Sequence, residues 1–134
     1  MKVVVFDLDG TLINASNEVI QGEKTISLLR KLQSLHYHLA ICTGRLDHDI
    51  VFINEKYNLG INERISQNGA VFYQGSHQEA HLLDKAAALE INELLKTYDV
   101  RVEMNTISNR YWNSPRDPDF PKEFYDSSII KEDY

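Results

Sequence analysis

Val3-Val4-Val5-Phe6-Asp7-Leu8-Asp9-Gly10-Thr11-Leu12 joins a β-branched and aromatic run to two carboxylates and a glycine. A continuous apolar run of this kind suits a parallel strand covered on both faces. Acids at i and i+2 of an extended chain point to one side, so Asp7 and Asp9 are expected together, with Leu8 turned the other way. Open parallel sheets bind ligands at the carboxyl ends of their strands, and Asp7 stands at such an end. Two carboxylates this close repel and favour a cation or a shared proton. A hard divalent ion with oxygen ligands, most simply Mg2+, would relieve them. One carboxylate is then suited to nucleophilic attack and the other to general acid–base work. Gly10 permits a tight turn whose successive N–H groups cradle an anion, which makes Leu8, Gly10 and Thr11 candidate phosphate-binding positions. A plain strand-ending turn with solvated acids is the competing reading. At roughly 6% usage per residue, the four fixed letters of Asp-x-Asp-Gly-Thr arise by chance in such a chain with a frequency of about 10⁻³, which favours a site.

Outward from this stretch, residues 8–22 are polar and read as a loop or small flap. Residues 24–35 carry Ile26, Leu28, Leu29, Leu32 and Leu35 at helical spacing. Residues 38–42 form a second short apolar run, and residues 46–57 are again helical, with Ile50, Ile53 and Tyr57 near one face. A short third strand is expected at 64–66. Strand, helix, strand, helix, strand is the pattern of a parallel α/β sheet with right-handed crossovers. After Asn68-Gly69 the pattern changes. Residues 70–73 and 81–83 are expected to form a hairpin around Gly75. Asp84 is a candidate N-cap for a helix over 85–97, with Ala87, Ile91, Leu94 and Leu95 as its apolar face. Residues 100–105 and 108–112 read as two more strands, with Tyr111 and Trp112 in the core of this unit or presenting a ring to the substrate. Pro115, Pro118 and Pro121 follow, then a polar tail anchored by Phe124, Ile129 and Ile130.

At the end of the second strand, Ile41-Cys42-Thr43-Gly44-Arg45 offers a hydroxyl to a phosphoryl oxygen, ahead of a helix N-terminus that favours anions. Thr43 is the candidate phosphate ligand. Arg45 is either a bidentate partner for substrate charge or a solvated first-turn arginine. Asn68, in Ser66-Gln67-Asn68-Gly69-Ala70, is a turn former or lies at the substrate mouth. Cys42, inside an apolar run, reads as a buried structural thiol.

The first motif, from Val3 to Leu12, resembles that of the haloacid dehalogenase superfamily of phosphotransferases. Residues 41–45 resemble its second motif, and residues 66–70 resemble the entry to the cap in its Cof-like, type IIB branch. The resemblance implies a Rossmann-like parallel α/β core, incomplete here, over residues 1–76, and part of an α+β cap over 77–134. It implies that Asp7 forms a phospho-aspartyl intermediate and that Asp9 serves as general acid and base. Mg2+ would be held by the Asp7 carboxylate and by the Asp9 backbone carbonyl. Thr43, Gly44, Arg45 and Asn68 would bind phosphate or substrate. A steadying lysine motif and a C-terminal Gly-Asp motif are missing from the pattern, and no glycine follows Gly75. The chain is therefore expected to be part of a longer protein or a natural truncation, with weak or no activity alone.

The chain has 134 residues, 43% hydrophobic and 25% charged, ordinary for a globular protein. Its net charge of −6, with scattered basic residues, argues against a nucleic-acid partner. The single cysteine excludes an internal disulfide. The apolar run at 3–6 is too short for a signal peptide, and no stretch suits a membrane span. A cytoplasmic location follows as the expectation. The expected activity is Mg2+-dependent hydrolysis of a small phosphorylated metabolite such as a sugar phosphate. The alternatives are a non-catalytic phosphate- or Mg2+-binding remnant with an interaction role and a phosphomutase of the same fold. Exposed sheet edges make self-association a further expectation.

Overall fold

In this computed structural model, residues 1–113 and 128–130 are described. Strand β1 (Lys2–Phe6) leads through the 8–22 loop into α1 (Glu23–Ser34), β2 (Tyr37–Cys42), α2 (Asp47–Tyr57) and β3 (Glu63–Ser66). A 3₁₀ turn, Gln67–Gly69, then reverses the chain into the hairpin β4 (Val71–Gln74) and β5 (His77–Ala80). The sheet order is β1-β2-β3-β4-β5. The first three strands are parallel, as the alternating pattern predicts, and β4 and β5 are added antiparallel. Helix α3 (Lys85–Leu95) and a second sheet, β6 (Glu103–Asn105), β7 (Arg110–Trp112) and β8 (Ser128–Ile130), complete the described chain.

The core lies on one face of the large sheet. Val4, Phe6, Leu39 and Ile41 meet Ile26 and Leu29 of α1 and Ile50 and Ile53 of α2. Leu28 and Leu35, which share the apolar content of α1, point away and are 53% and 57% exposed. Only the 26–29–32 stripe faces the sheet. Residues 8–22 form the expected loop, but it is anchored in the interior. Leu8, Leu12, Ile13 and Val19 are buried in the core, and short bridges tie Asp9 to Ile13 and Ile13 to Val19.

Two expectations beyond Gly69 are corrected. The hairpin closes through the two-residue turn Gly75-Ser76, with Gly75 at φ 60°, so His77–Ala80 pairs with Val71–Gln74, and of the expected 81–83 strand the His81 N–H adds one bond, to the Ala70 carbonyl at 2.7 Å. A glycine opening a two-residue turn sets that tight register. Helix α3 begins where expected, with the Asp84 carboxylate accepting from the Ala87 N–H at 3.1 Å. Of the expected face it turns Leu95 inward, together with Ala88 and Asn92, while Ala87 is exposed and Ile91 and Leu94 remain 49% and 59% exposed. The helix carries more apolar surface than the narrow sheet beside it covers. Trp112 is buried and Tyr111 half-buried, with Arg101 4.4 Å over the Trp112 ring. Pro115, Pro118, Pro121 and Phe124 lie outside the described residues, as do the side chains of Ile129 and Ile130.

Candidate functional site

Leu8 is the anchor of the site. Its side chain is fully buried, and its carbonyl accepts the Leu12 and Ile13 N–H groups at 3.0 and 2.9 Å. This winds the chain tightly after β1 and leaves Asp7 and Asp9 exposed on either side of it. Gly10 sits at φ 73°, a conformation that costs a residue bearing a Cβ, and its N–H donates to the Ile13 carbonyl at 2.8 Å. Thr11 is exposed beside it. The Asp7 carboxylate accepts from the Leu8 N–H at 2.7 Å.

An open groove of about 570 Å³ lies at the carboxyl ends of β1 and β2, lined by Asp7, Cys42, Thr43, Gly44 and Asn68 with Val5 and Phe6. Cys42, expected in the interior, is half-buried on this wall. Thr43 is buried, and its hydroxyl oxygen accepts from the Arg45 N–H at 3.2 Å, so its own proton remains to donate. The 67–69 turn is pinned to the 43–45 loop. Gln67 N–H donates to the Arg45 carbonyl at 2.9 Å and Asn68 N–H to the Thr43 carbonyl at 3.1 Å. Asn68 holds a left-handed φ of 56°, and its amide lies flush against Gly44. A Cβ at residue 44 would stand 2.9 Å from Asn68 Oδ1. The structure therefore brings Asp7, Thr43, Gly44 and Asn68 to one groove.

Arg45 answers the repulsion expected between Asp7 and Asp9 with a cation from the chain itself. Its Nε donates to Asp9 Oδ2 at 2.8 Å and its Nη2 to Asp9 Oδ1 at 2.6 Å. Nη2 also meets Asn17 Oδ1 at 2.8 Å, and Nη1 meets Asp49 Oδ2 at 3.4 Å. The side chain is 9% exposed, so it is not a solvated first-turn arginine. Burial alone lowers its pKa, but the bonds and charges of Asp9 and then Asp49 outweigh burial and raise it above the ordinary guanidinium value. Asn17 and Asp49 were not singled out by the sequence. The i, i+4 spacing of Arg45 and Asp49 is the signal that could have found the second. Asp47 and Asp49 already occupy the first turn of α2, whose N-terminus was expected to serve an anion from outside.

An oxygen donor set at the end of β1 suits Mg2+, which takes one or two carboxylates and keeps waters for the rest. Asp7 lines the groove, while the Asp9 carboxylate is engaged by Arg45, so a carbonyl contribution from Asp9 fits better than a second carboxylate. Among the described residues, no cluster of three or more His, Cys, Asp or Glu side chains is present to form a fuller cage. A second cavity, of about 670 Å³, lies where Gln67, Asn68 and Ala70 face residues 81–88 and 104–109. Gln67 Nε2 spans it to the Thr106 carbonyl at 2.9 Å. No helix among the described residues is long and apolar enough to cross a membrane.

A sequence model of the family described as haloacid dehalogenase-like hydrolase matches residues 4–134. The chain is 34% identical over 115 residues to Phosphatase YwpJ of Bacillus subtilis (strain 168), covering 83% of this chain and 39% of that protein. A solved haloacid dehalogenase-like hydrolase from B. subtilis superposes with a TM-score of 0.71 at 31% identity, over 87% of this chain and 40% of that one. The subclass IIB sugar phosphatase BT4131 shares the fold with a TM-score of 0.76 at 20% identity, over 97% of this chain and 53% of that one. The chain thus spans between about two fifths and half the length of these relatives. Matched by that family model over residues 4–134 and 34% identical to that phosphatase, the chain belongs to the haloacid dehalogenase-like hydrolases.

Proposed function

We propose that this chain carries the nucleophile-bearing part of a phosphatase acting on a small phosphorylated metabolite such as a sugar phosphate. The observation that supports this most is the placing of Asp7 at the end of β1, on a groove it shares with Thr43, Gly44 and Asn68. An Asp7 carboxylate oxygen attacks phosphorus, and the P–O bond to the leaving alcohol breaks as Asp9 gives that oxygen a proton. Asp9 then takes a proton from water as its oxygen attacks the phospho-aspartate, which releases phosphate and restores Asp7. Thr43 donates its hydroxyl proton to a phosphoryl oxygen, and the Asn68 amide lies beside it. Arg45 holds the plane of the Asp9 carboxylate rather than reaching for the substrate. Mg2+ on the Asp7 carboxylate and the Asp9 carbonyl would neutralise charge on the phosphoryl oxygens. The division into a core over 1–76 and a cap from 77 onward is part of this proposal, as are a cytoplasmic setting and the absence of nucleic-acid and membrane partners. Strand β5 pairs within the large sheet up to Ala80.

The test is phosphate release from p-nitrophenyl phosphate and a panel of sugar phosphates with Mg2+. Slow release at most is expected from the 134-residue chain alone, and Asp7→Asn should abolish whatever release is seen. Asp9→Asn should lower kcat by about 10²–10⁴-fold with inhibitor affinity nearly unchanged. Release that survives Asp7→Asn would refute the reading. Phosphate binding without turnover would favour a binding module, and phosphate transfer between positions on one sugar would favour a mutase.

A further inference from the structure

Asp49 stands in the first turn of α2 with none of its side chain exposed, beside the core residues Leu46, Ile50 and Ile53. A carboxylate placed there is costly unless a cation meets it, and the mechanism above gives it no task. Asp47, two residues earlier, is held by Arg64 at 2.7 and 3.1 Å. Asp49 instead faces Arg45 Nη1 at 3.4 Å and His48 Nε2 at 3.5 Å.

The guanidinium is a rigid plane with five N–H groups in a fixed fork. One edge, Nε and Nη2, grips Asp9, whose side chain is 49% exposed. Held by that edge alone, Arg45 would follow Asp9 wherever it moved. Asp49 cannot move, because α2 is packed into the core at Ile50 and Ile53. It meets the guanidinium at Nη1, while Asn17 meets Nη2 from the loop side. The exposed Asp9 carboxylate, two residues beyond Asp7, is thereby tied through one arginine to a buried carboxylate of α2.

We propose that Asp49 is a positioning residue for Asp9, acting through Arg45. The size of its kinetic effect rests on the phosphatase reading, whereas the geometric coupling does not. In the chain labelled with ¹⁵N-arginine, the Arg45 Nε–H resonance should shift and broaden in Asp49→Asn while that of Arg64 stays in place. An unchanged Arg45 resonance overturns the proposal. Where turnover is present, Asp49→Asn should lower kcat by roughly 10- to 100-fold, the scale of a small misplacement, with KM within about twofold. In an Asp9→Asn background the same change should add nothing further, whereas losses that multiply would mark a merely structural role and overturn it. Should Asp49→Asn not fold, Asp9→Ala decides. Its crystal structure should keep Arg45 against Asp49, and an Arg45 swung into solvent overturns the proposal. Absence of all turnover would count against the phosphatase reading and leave the resonance measurement to decide this one.

Discussion

Gly44 shows how much of the groove depends on one missing atom. It needs no unusual backbone angle, yet a Cβ there meets the far end of the Asn68 side chain at 2.9 Å. Asn68 is exposed and free to turn, so Gly44→Ala should leave thermal stability nearly unchanged while displacing the amide from the groove. Forcing such a side chain off its rotamer costs roughly 0.5–1.5 kcal/mol, which predicts about two- to tenfold weaker vanadate binding by calorimetry. Unchanged affinity would remove Asn68 from the phosphate site. At this scale the sequence was most legible where the backbone alone places the residue. Asp7, Gly10 and Thr43 follow from strand ends and a turn. Arg45 was not decided, because its partners Asp9, Asn17 and Asp49 come from three separate segments and only Asp49 lies at a local spacing.

The elements divide along the same line. Helices α1 and α2 were readable because each carries a stripe that matches the face it buries, and β1 and β2 because of their apolar runs, although the face of β1 that bears Val3 and Val5 is not covered as expected. Strand β5, His-Gln-Glu-Ala, has no such pattern and is fixed by the Gly75 turn and its backbone pairing with β4. The face of α3 was misread for a related reason. Its buried positions include Asn92, while Ile91 and Leu94 face outward, so hydrophobicity pointed to the wrong stripe. The start of α3 was legible because a cap is local chemistry. Asp84→Ala removes the acceptor for the Ala87 N–H and should destabilise that helix by about 1 kcal/mol. Hydrogen exchange should accelerate at the first turn of α3 and not in α2. Uniform acceleration in both would mean that the cap matters to the whole fold.

For the whole molecule, the uneven covering of the sheet is the dominant feature. Both α1 and α2 pack on the face of Val4 and Phe6, whereas Val3 and Val5 of β1 are 51% and 53% exposed on the other. Among the described residues no strand pairs the outer edge of β1. Parallel strands are ordinarily buried on both faces, and bare edges recruit other chains. The chain should therefore associate as concentration rises in sedimentation velocity, and Val5→Lys should shift it toward monomer. A monomer at all concentrations would contradict this. Turnover by the 134-residue chain alone should also be slow, because Asp7 and one carbonyl would make a sparse metal site. The identity of Asp7 as nucleophile can be tested without turnover. The chain is mixed with Mg2+ and beryllofluoride and its crystal structure determined. A beryllofluoride group is expected on an Asp7 carboxylate oxygen, beside the Thr43 hydroxyl, and none in Asp7→Asn. An adduct on any other residue, or one that persists in Asp7→Asn, would contradict it.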